Sequence, residues 1–294
     1  MKRIITPVMA VLLFFSCTAP FDINTHDSEP VVVIYGCLTN ENKNHVIRVT
    51  RSSPYFQEAD NEAINNAKVW VTSSSGVEYS FKIDSNGYYV SQKKFSALRD
   101  VTYRLFVEIE SNNGGEKALY EAETTTPPIV SADSIEANKM SIMGYGHYML
   151  NLYIQEPIEA ENYYLFRFFI NDTVSNHKIG DYIISNDQFF NGEYLNGVNI
   201  TIFEDATDPE VVAMFEDNEN IYMVQPGDRI RLQILNIEKG YYYFIRDCIT
   251  EKYGENPFFG GPPSNIYTNL SNGAVGYFTS FCIHEKETVV PNSP

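Results

Sequence analysis

The sequence predicts a mainly β protein, an N-terminal β-sandwich followed by a larger β-sandwich or barrel-like domain with one α-helix. Three observations predict it. Tyr (21) and Phe (19) are abundant beside a single Trp, and aromatic and β-branched residues suit a half-buried pleated surface. Segment after segment alternates apolar with polar residues, the period of a strand with one covered face. Turn residues (Ser-Ser-Gly, Asp-Ser-Asn-Gly, Asn-Asn-Gly-Gly) separate those segments at short intervals, the spacing of sandwich strands.

The elements follow in order. Residues 30–39, PVVVIYGCLT, form a nearly continuous apolar run, read as a buried strand. In NHVIRVTRS (44–52), Val46, Arg48 and Thr50 face one way and His45, Ile47, Val49 and Arg51 the other. Residues 66–91 carry two hairpins, the second closed by Asn86-Gly87, a pair that tolerates the positive φ angles of a tight hairpin turn. VTYRLFVEIE (101–110) and KALYEAETT (117–125) add two alternating strands, making about seven in the first domain. Pro127-Pro128 then breaks the pattern and marks the boundary between domains at 30–128 and 129–285.

Past the boundary, SIEANKMSIM and HYMLNLYIQE flank a Gly-Tyr-Gly turn. NYYLFRFFI (162–170) is apolar on both faces apart from Arg167, which predicts a central strand covered on both sides with Arg167 paired to a buried carboxylate. KIGDYIIS and GVNITIFE read as further strands. Pro226-Gly227 suits the middle of a type II turn between two more. Tyr241, Ile245, Cys248 and Lys252 fall at helical spacing, widened by Phe244 and Ile249, which predicts a helix over about 238–253. Residues 274–285 form a closing strand, and the tail 286–294 is expected to be disordered.

The first residues speak of an address. Met1-Lys2-Arg3 leads into about twelve mostly apolar residues, short of the roughly 20 that a spanning helix needs but suited to a signal-peptide core. The run stops at Ser16-Cys17. This resembles a bacterial lipobox, in which residues 1–16 are removed and Cys17 is acylated; an ordinary secretory signal is the alternative. Residues 17–29 then read as a flexible tether, polar and acidic.

Charge narrows the partners. The formal net charge is −17, and loss of residues 1–16 removes Lys2 and Arg3 but no acid. Such a surface repels polyphosphates, so nucleic acid is excluded and the membrane is reached through the lipid alone. Besides Cys17 the chain holds Cys37, Cys248 and Cys282, of which Cys248 and Cys282 are the more plausible disulfide pair.

Taken together, VVVIYGCLT, HVIRVTRSSPYF, INNAKVWVTSSSGVEYSF, TTPPI, YYLFRFF, GENPFFGGPPSNIYTNLSNGAVGYF and the lipobox resemble the Bacteroidota lipoprotein family called domain of unknown function 4249. The first domain is also similar to immunoglobulin- and transthyretin-like sandwiches. The family resemblance implies an outer-membrane lipoprotein, displayed on the cell surface or facing the periplasm, that works beside a TonB-dependent receptor. It implies no catalytic residue and no cofactor.

The residues themselves yield no nucleophile motif and no His-Glu-x-x-His, and the five histidines are scattered. Residues 203–220 are densely acidic, and Asp205 and Asp208 are the candidate calcium ligands there. A solvated acidic connection is the plainer reading. Phe258, Phe259 and Tyr267 lie in a Pro- and Gly-rich loop that cannot join a ladder, so they are the candidate ligand or partner contacts. A ligand-capturing or accessory subunit is therefore the leading expectation, with a glycan or peptide hydrolase and a structural or adhesive surface protein as alternatives.

Overall fold

The structure, a computed structural model, describes residues 30–53, 61–110, 117–158, 161–215, 221–254 and 266–292. Eight strands come from residues 32–125: β1 (Val32–Thr39), β2 (Val46–Arg51), β3 (Glu62–Ala63), β4 (Lys68–Ser73), β5 (Glu78–Ser85), β6 (Tyr88–Ser91), β7 (Thr102–Glu110) and β8 (Lys117–Thr125). The alternation read from the sequence sets their faces. In β7, Tyr103, Leu105, Val107 and Ile109 are buried in turn, and the residues between them are more open. Asn86 and Gly87, with φ of 47° and 77°, close the β5–β6 hairpin.

The remaining elements are β9 (Ala132–Ile142), β10 (Tyr145–Gln155), β11 (Tyr163–Ile170), β12 (Thr173–Val174), β13 (Ile183–Asn186), β14 (Tyr194–Asp205), helix α1 (Pro209–Phe215), β15 (Met223–Val224), β16 (Arg229–Ile237), helix α2 (Lys239–Gly254) and β17 (Val275–Val289). The fold is mainly β, in two sheets, with no closed barrel among the described residues.

The 15-residue β17 organises the molecule. Its first half runs parallel to β1, from Val33↔Val275 to Thr39↔Phe281. Its second half pairs antiparallel with β16, from Asn236↔Cys282 to Arg229↔Val289. One large sheet therefore runs β12-β11-β16-β17-β1-β2-β6-β5-β4-β7-β8, crossing the boundary expected near residue 128. It curls until β8 lies beside β17. There side chains replace a ladder: Ser280 N donates to Thr124 Oγ1 at 3.0 Å, and Thr126 Oγ1 lies 2.8 Å from Ser280 Oγ. Asn269 completes this join, its amide donating to the carbonyls of Phe278 (2.7 Å) and Glu123 (3.0 Å) while its Oδ1 accepts from Phe278 N.

The second sheet, β15-β14-β10-β9, packs over the β11–β16 part of the first. As expected of an all-apolar strand, β11 is covered on both faces. Tyr164, Phe166 and Phe168 enter the core between the sheets, and Tyr163 and Leu165 meet Tyr241, Phe244 and Ile245 of α2. Each such side chain removed from water contributes about 1.5–3 kcal/mol, so the α2 stripe read from the sequence docks the helix on that face.

Several expectations are corrected. Arg167 has no ion-pair partner among the described residues; it lies by Tyr35, Cys37 and Tyr182, with its guanidinium 5.8 Å from the Phe169 ring. Cys37, Cys248 and Cys282 are all free thiols, so the Cys248–Cys282 bridge is not formed. The physical reason is the face each occupies. Cys248 packs in the helix-covered layer, whereas Cys282 points from the opposite face of β17 toward Arg99, Asp100 and Tyr103. The acidic segment at 203–220 is not all connection, because Pro209–Phe215 forms a second helix with Asp208 as its N-cap, its Oδ1 accepting from Glu210 N at 3.0 Å. Finally, residues 286–289 continue β17, and Val290 is buried behind them.

An apolar cleft at an open seam, and the candidate site residues

The two sheets of the C-terminal half meet differently at their two sides. On one side β9 packs against β17. On the other, β13 and β14 face each other without pairing: among the described residues β13 pairs only with β11, and β14 only with β10 and β15. Between them lies a cleft of about 200 Å³. Ile183, Ile184, Leu195, Ile200, Phe166 and Phe190 are among the residues that line it. A 150 Å³ apolar cavity accommodates benzene, and pockets for drug-sized ligands start near 300 Å³. The space therefore suits one ring or one branched chain.

A polar cluster borders the cleft. Glu156, only 2 % exposed, receives the Tyr164 phenol at 2.7 and 2.6 Å on its two oxygens. Burial pushes this carboxyl above its ordinary range, and the nearby Asp187 adds to the shift; the bonds from Tyr164 and Asn162 oppose it. The backbone N–H of Asn162 donates to Asp187 Oδ2 at 2.8 Å. Burial likewise raises the Tyr164 phenol. The phenol hydrogen bond satisfies the buried carboxyl, so carboxyl and ring share an apolar wall without an unpartnered polar group.

Neither Glu156 nor Tyr164 stood out in the sequence as a site residue. The available signal was weak: Glu156 directly follows β10, two residues after Ile154, and is buried like Leu152 and Ile154. A carboxylate at an inward position asks for a partner, but its identity depends on which strand lies across the core.

The residues singled out from the sequence do not converge here. Cys17, Phe258 and Phe259 lie outside the described residues. Tyr267 is 49 % exposed and packs beside Tyr277, ring centroids 6.1 Å apart, in the layer that also holds α2. Asp205 and Asp208 are near one another at the far end of β14, but their oxygens are engaged by the protein. Asp205 Oδ1 accepts from Thr207 N and Oγ1 at 2.9 and 2.6 Å, and its Oδ2 is 3.0 Å from Lys139 Nζ. Burial opposes ionisation of Asp205, yet these partners hold its carboxyl below the usual range. Asp208 Oδ2 accepts from Gly146 N at 3.1 Å. Among the described residues no three His, Cys, Asp or Glu side chains gather as metal ligands.

The fold and cleft define a two-sheet β protein with a small apolar cleft on its open side. The chain belongs to the family described as a domain of unknown function (DUF4249), whose model matches residues 18–287. No curated protein matches the chain.

Proposed function

We propose that this protein is a lipid-anchored outer-membrane lipoprotein that captures an apolar group beside a TonB-dependent transporter. The observation that carries the capture half is the cleft between β13 and β14, apolar, formed, and open on the side where the sheets do not pair. The anchoring half is supported by the short apolar run ending on Cys17 and the acidic tether after it. Two or more acyl chains hold a protein stably where one does not. Among the described residues no helix is long and apolar enough to cross a membrane, so attachment on this reading is through Cys17. The transporter as partner follows from the family resemblance, and display on the cell surface in preference to the periplasmic face from the acidic residues that follow Cys17.

The test is recovery of the tagged protein from detergent-solubilised outer membrane. A transporter recovered in stoichiometric amount is the expected result, and Cys17→Ala moves the protein to the soluble fraction without labelled palmitate. A lone lipoprotein, or membrane partition unchanged by Cys17→Ala, overturns the corresponding half. Turnover of a glycan or peptide that disappears on a single Asp or Glu substitution makes it a hydrolase instead.

A further inference from the structure

We propose that the open seam is a strand acceptor: an extended, Lys- or Arg-flanked peptide segment of a partner protein pairs along the β13 edge and sets one bulky apolar side chain into the cleft. This rests on the cleft being the recognition site, and it names what enters.

The edge is the first argument. Asp187 N donates to Asn162 O at 3.1 Å. With Tyr164↔Ser185 and Phe166↔Ile183 in register, the odd-numbered residues of β13 face β11. In an antiparallel ladder the alternate residues then direct their N–H and C=O outward, so Ile184 offers both groups and Asn186 its N–H to the seam, the Asn186 carbonyl already accepting from Ser185 Oγ at 3.3 Å. Among the described residues no strand takes them. Natural sheets shield such edges with Lys, Pro or an inward charge. Residues 183–186 and 194–202 contain none of these. The β14 edge is less suited to pairing, because bulges interrupt it opposite Leu150/Asn151 and Leu152/Tyr153. Strand pairing therefore falls to β13, and β14 supplies the far wall.

Size and exposure agree. About 200 Å³ holds one Phe or Leu side chain. Phe189, next to the cleft-lining Phe190, is 89 % exposed, and Ile158, which contacts Gly192 at the same corner, is 76 % exposed. An incoming strand would cover apolar surface that water now wets.

Charge selects the flanks. From Ile183 to Ile202 the chain carries no Lys or Arg and its exposed acid is Glu193, Asp187 being buried; β10 on the neighbouring position adds no Lys or Arg either. A basic segment is attracted to this rim and an acidic one repelled. A small apolar molecule would fill the cleft but leave the edge unpaired.

The experiment pans random displayed peptides against the full mature chain, with Ile184→Pro as the counter-target. This substitution removes an outward N–H that the β11 ladder does not use, together with a cleft-lining side chain, so N-methylated peptides are needed to separate strand pairing from apolar capture. Enriched sequences should place one bulky apolar residue in an alternating run between Lys or Arg residues. An enriched peptide N-methylated on one alternating set of nitrogens should bind about tenfold more weakly or worse, and the other set should bind as before. Ile200→Lys, folded by circular dichroism, should abolish binding. Equal loss with neither methylated set, or enrichment retained by Ile184→Pro, overturns strand pairing and leaves apolar capture standing. Strand pairing is overturned in the same way if toluene raises Tm in an Ile200-dependent manner and no peptide enriches. If neither toluene nor any peptide binds, both readings fall. Self-association that Ile184→Pro abolishes, with no peptide bound, would make the occupant a second copy and overturn the proposal.

Discussion

Tyr164 donates its phenol to Glu156 across the inter-sheet core, 2.7 and 2.6 Å from the two carboxyl oxygens, and both residues are almost wholly buried. Removing one partner of such a pair leaves the other unsatisfied, at a cost of about 1–3 kcal/mol, whereas replacing both by apolar groups is nearly neutral. Tyr164→Phe should therefore lower stability by about that amount, and Tyr164→Phe/Glu156→Leu should recover part of it. Urea denaturation of the three proteins decides, and a double variant weaker than Tyr164→Phe sinks the account.

Glu238 supplies a pH dependence. It stands where β16 passes into α2, and Thr124 Oγ1 donates to its Oε1 at 2.9 Å. Burial pushes its carboxyl from an ordinary 4.5 up to about 7 despite that bond. A carboxyl raised on folding contributes stability that is complete below about pH 4.5 and is lost as pH rises through 7. The loss is on the order of 3 kcal/mol. Glu238→Gln, which cannot ionise, should match the native protein at pH 4.5 and exceed it increasingly toward pH 8. Parallel stability curves across that window would refute the assignment.

Gly276 is the tightest point of the β1–β17 join. Its φ is +105°, and a Cβ there would lie 2.1 Å from the Ile34 carbonyl oxygen, a backbone atom held by the sheet. Gly276→Ala must therefore both adopt a disfavoured φ and push the strands apart, and should cost about 3 kcal/mol or more. A shift in Tm of less than a degree or two would show that the join yields more easily.

The three cysteines should behave as thiols. Burial, with Asp247 adding to it, pushes the Cys248 thiol up to about 11, so it should alkylate slowly at pH 8 in the native state. In denaturant, the thiol count should be the same with and without prior reduction. An increase of two on reduction would establish a disulfide.

Much of the secondary structure was legible from neighbours in the chain. The alternation of β7, the Asn86-Gly87 turn, the two-faced apolar run of β11 and the Tyr241–Ile245–Cys248 stripe each depend on a few adjacent residues, and the period of burial follows from local backbone geometry. Helix α1 escaped notice because seven residues carry too little periodicity to separate a capped turn of helix from an acidic loop.

The site was not legible in the same way. Nothing near Val275 announces that it will lie beside Val33, and no window around Glu156 contains the strand that presents Tyr164 in the folded core. The seam exists because β9 found β17 while β13 and β14 found no partner in each other. Local sequence decides which face of a strand seeks cover, since that is a matter of side-chain chemistry and backbone period. Which edges remain free, which thiols are kept apart and which carboxyl meets a phenol are settled only when segments far apart in sequence compete for the same buried surface and backbone hydrogen bonds.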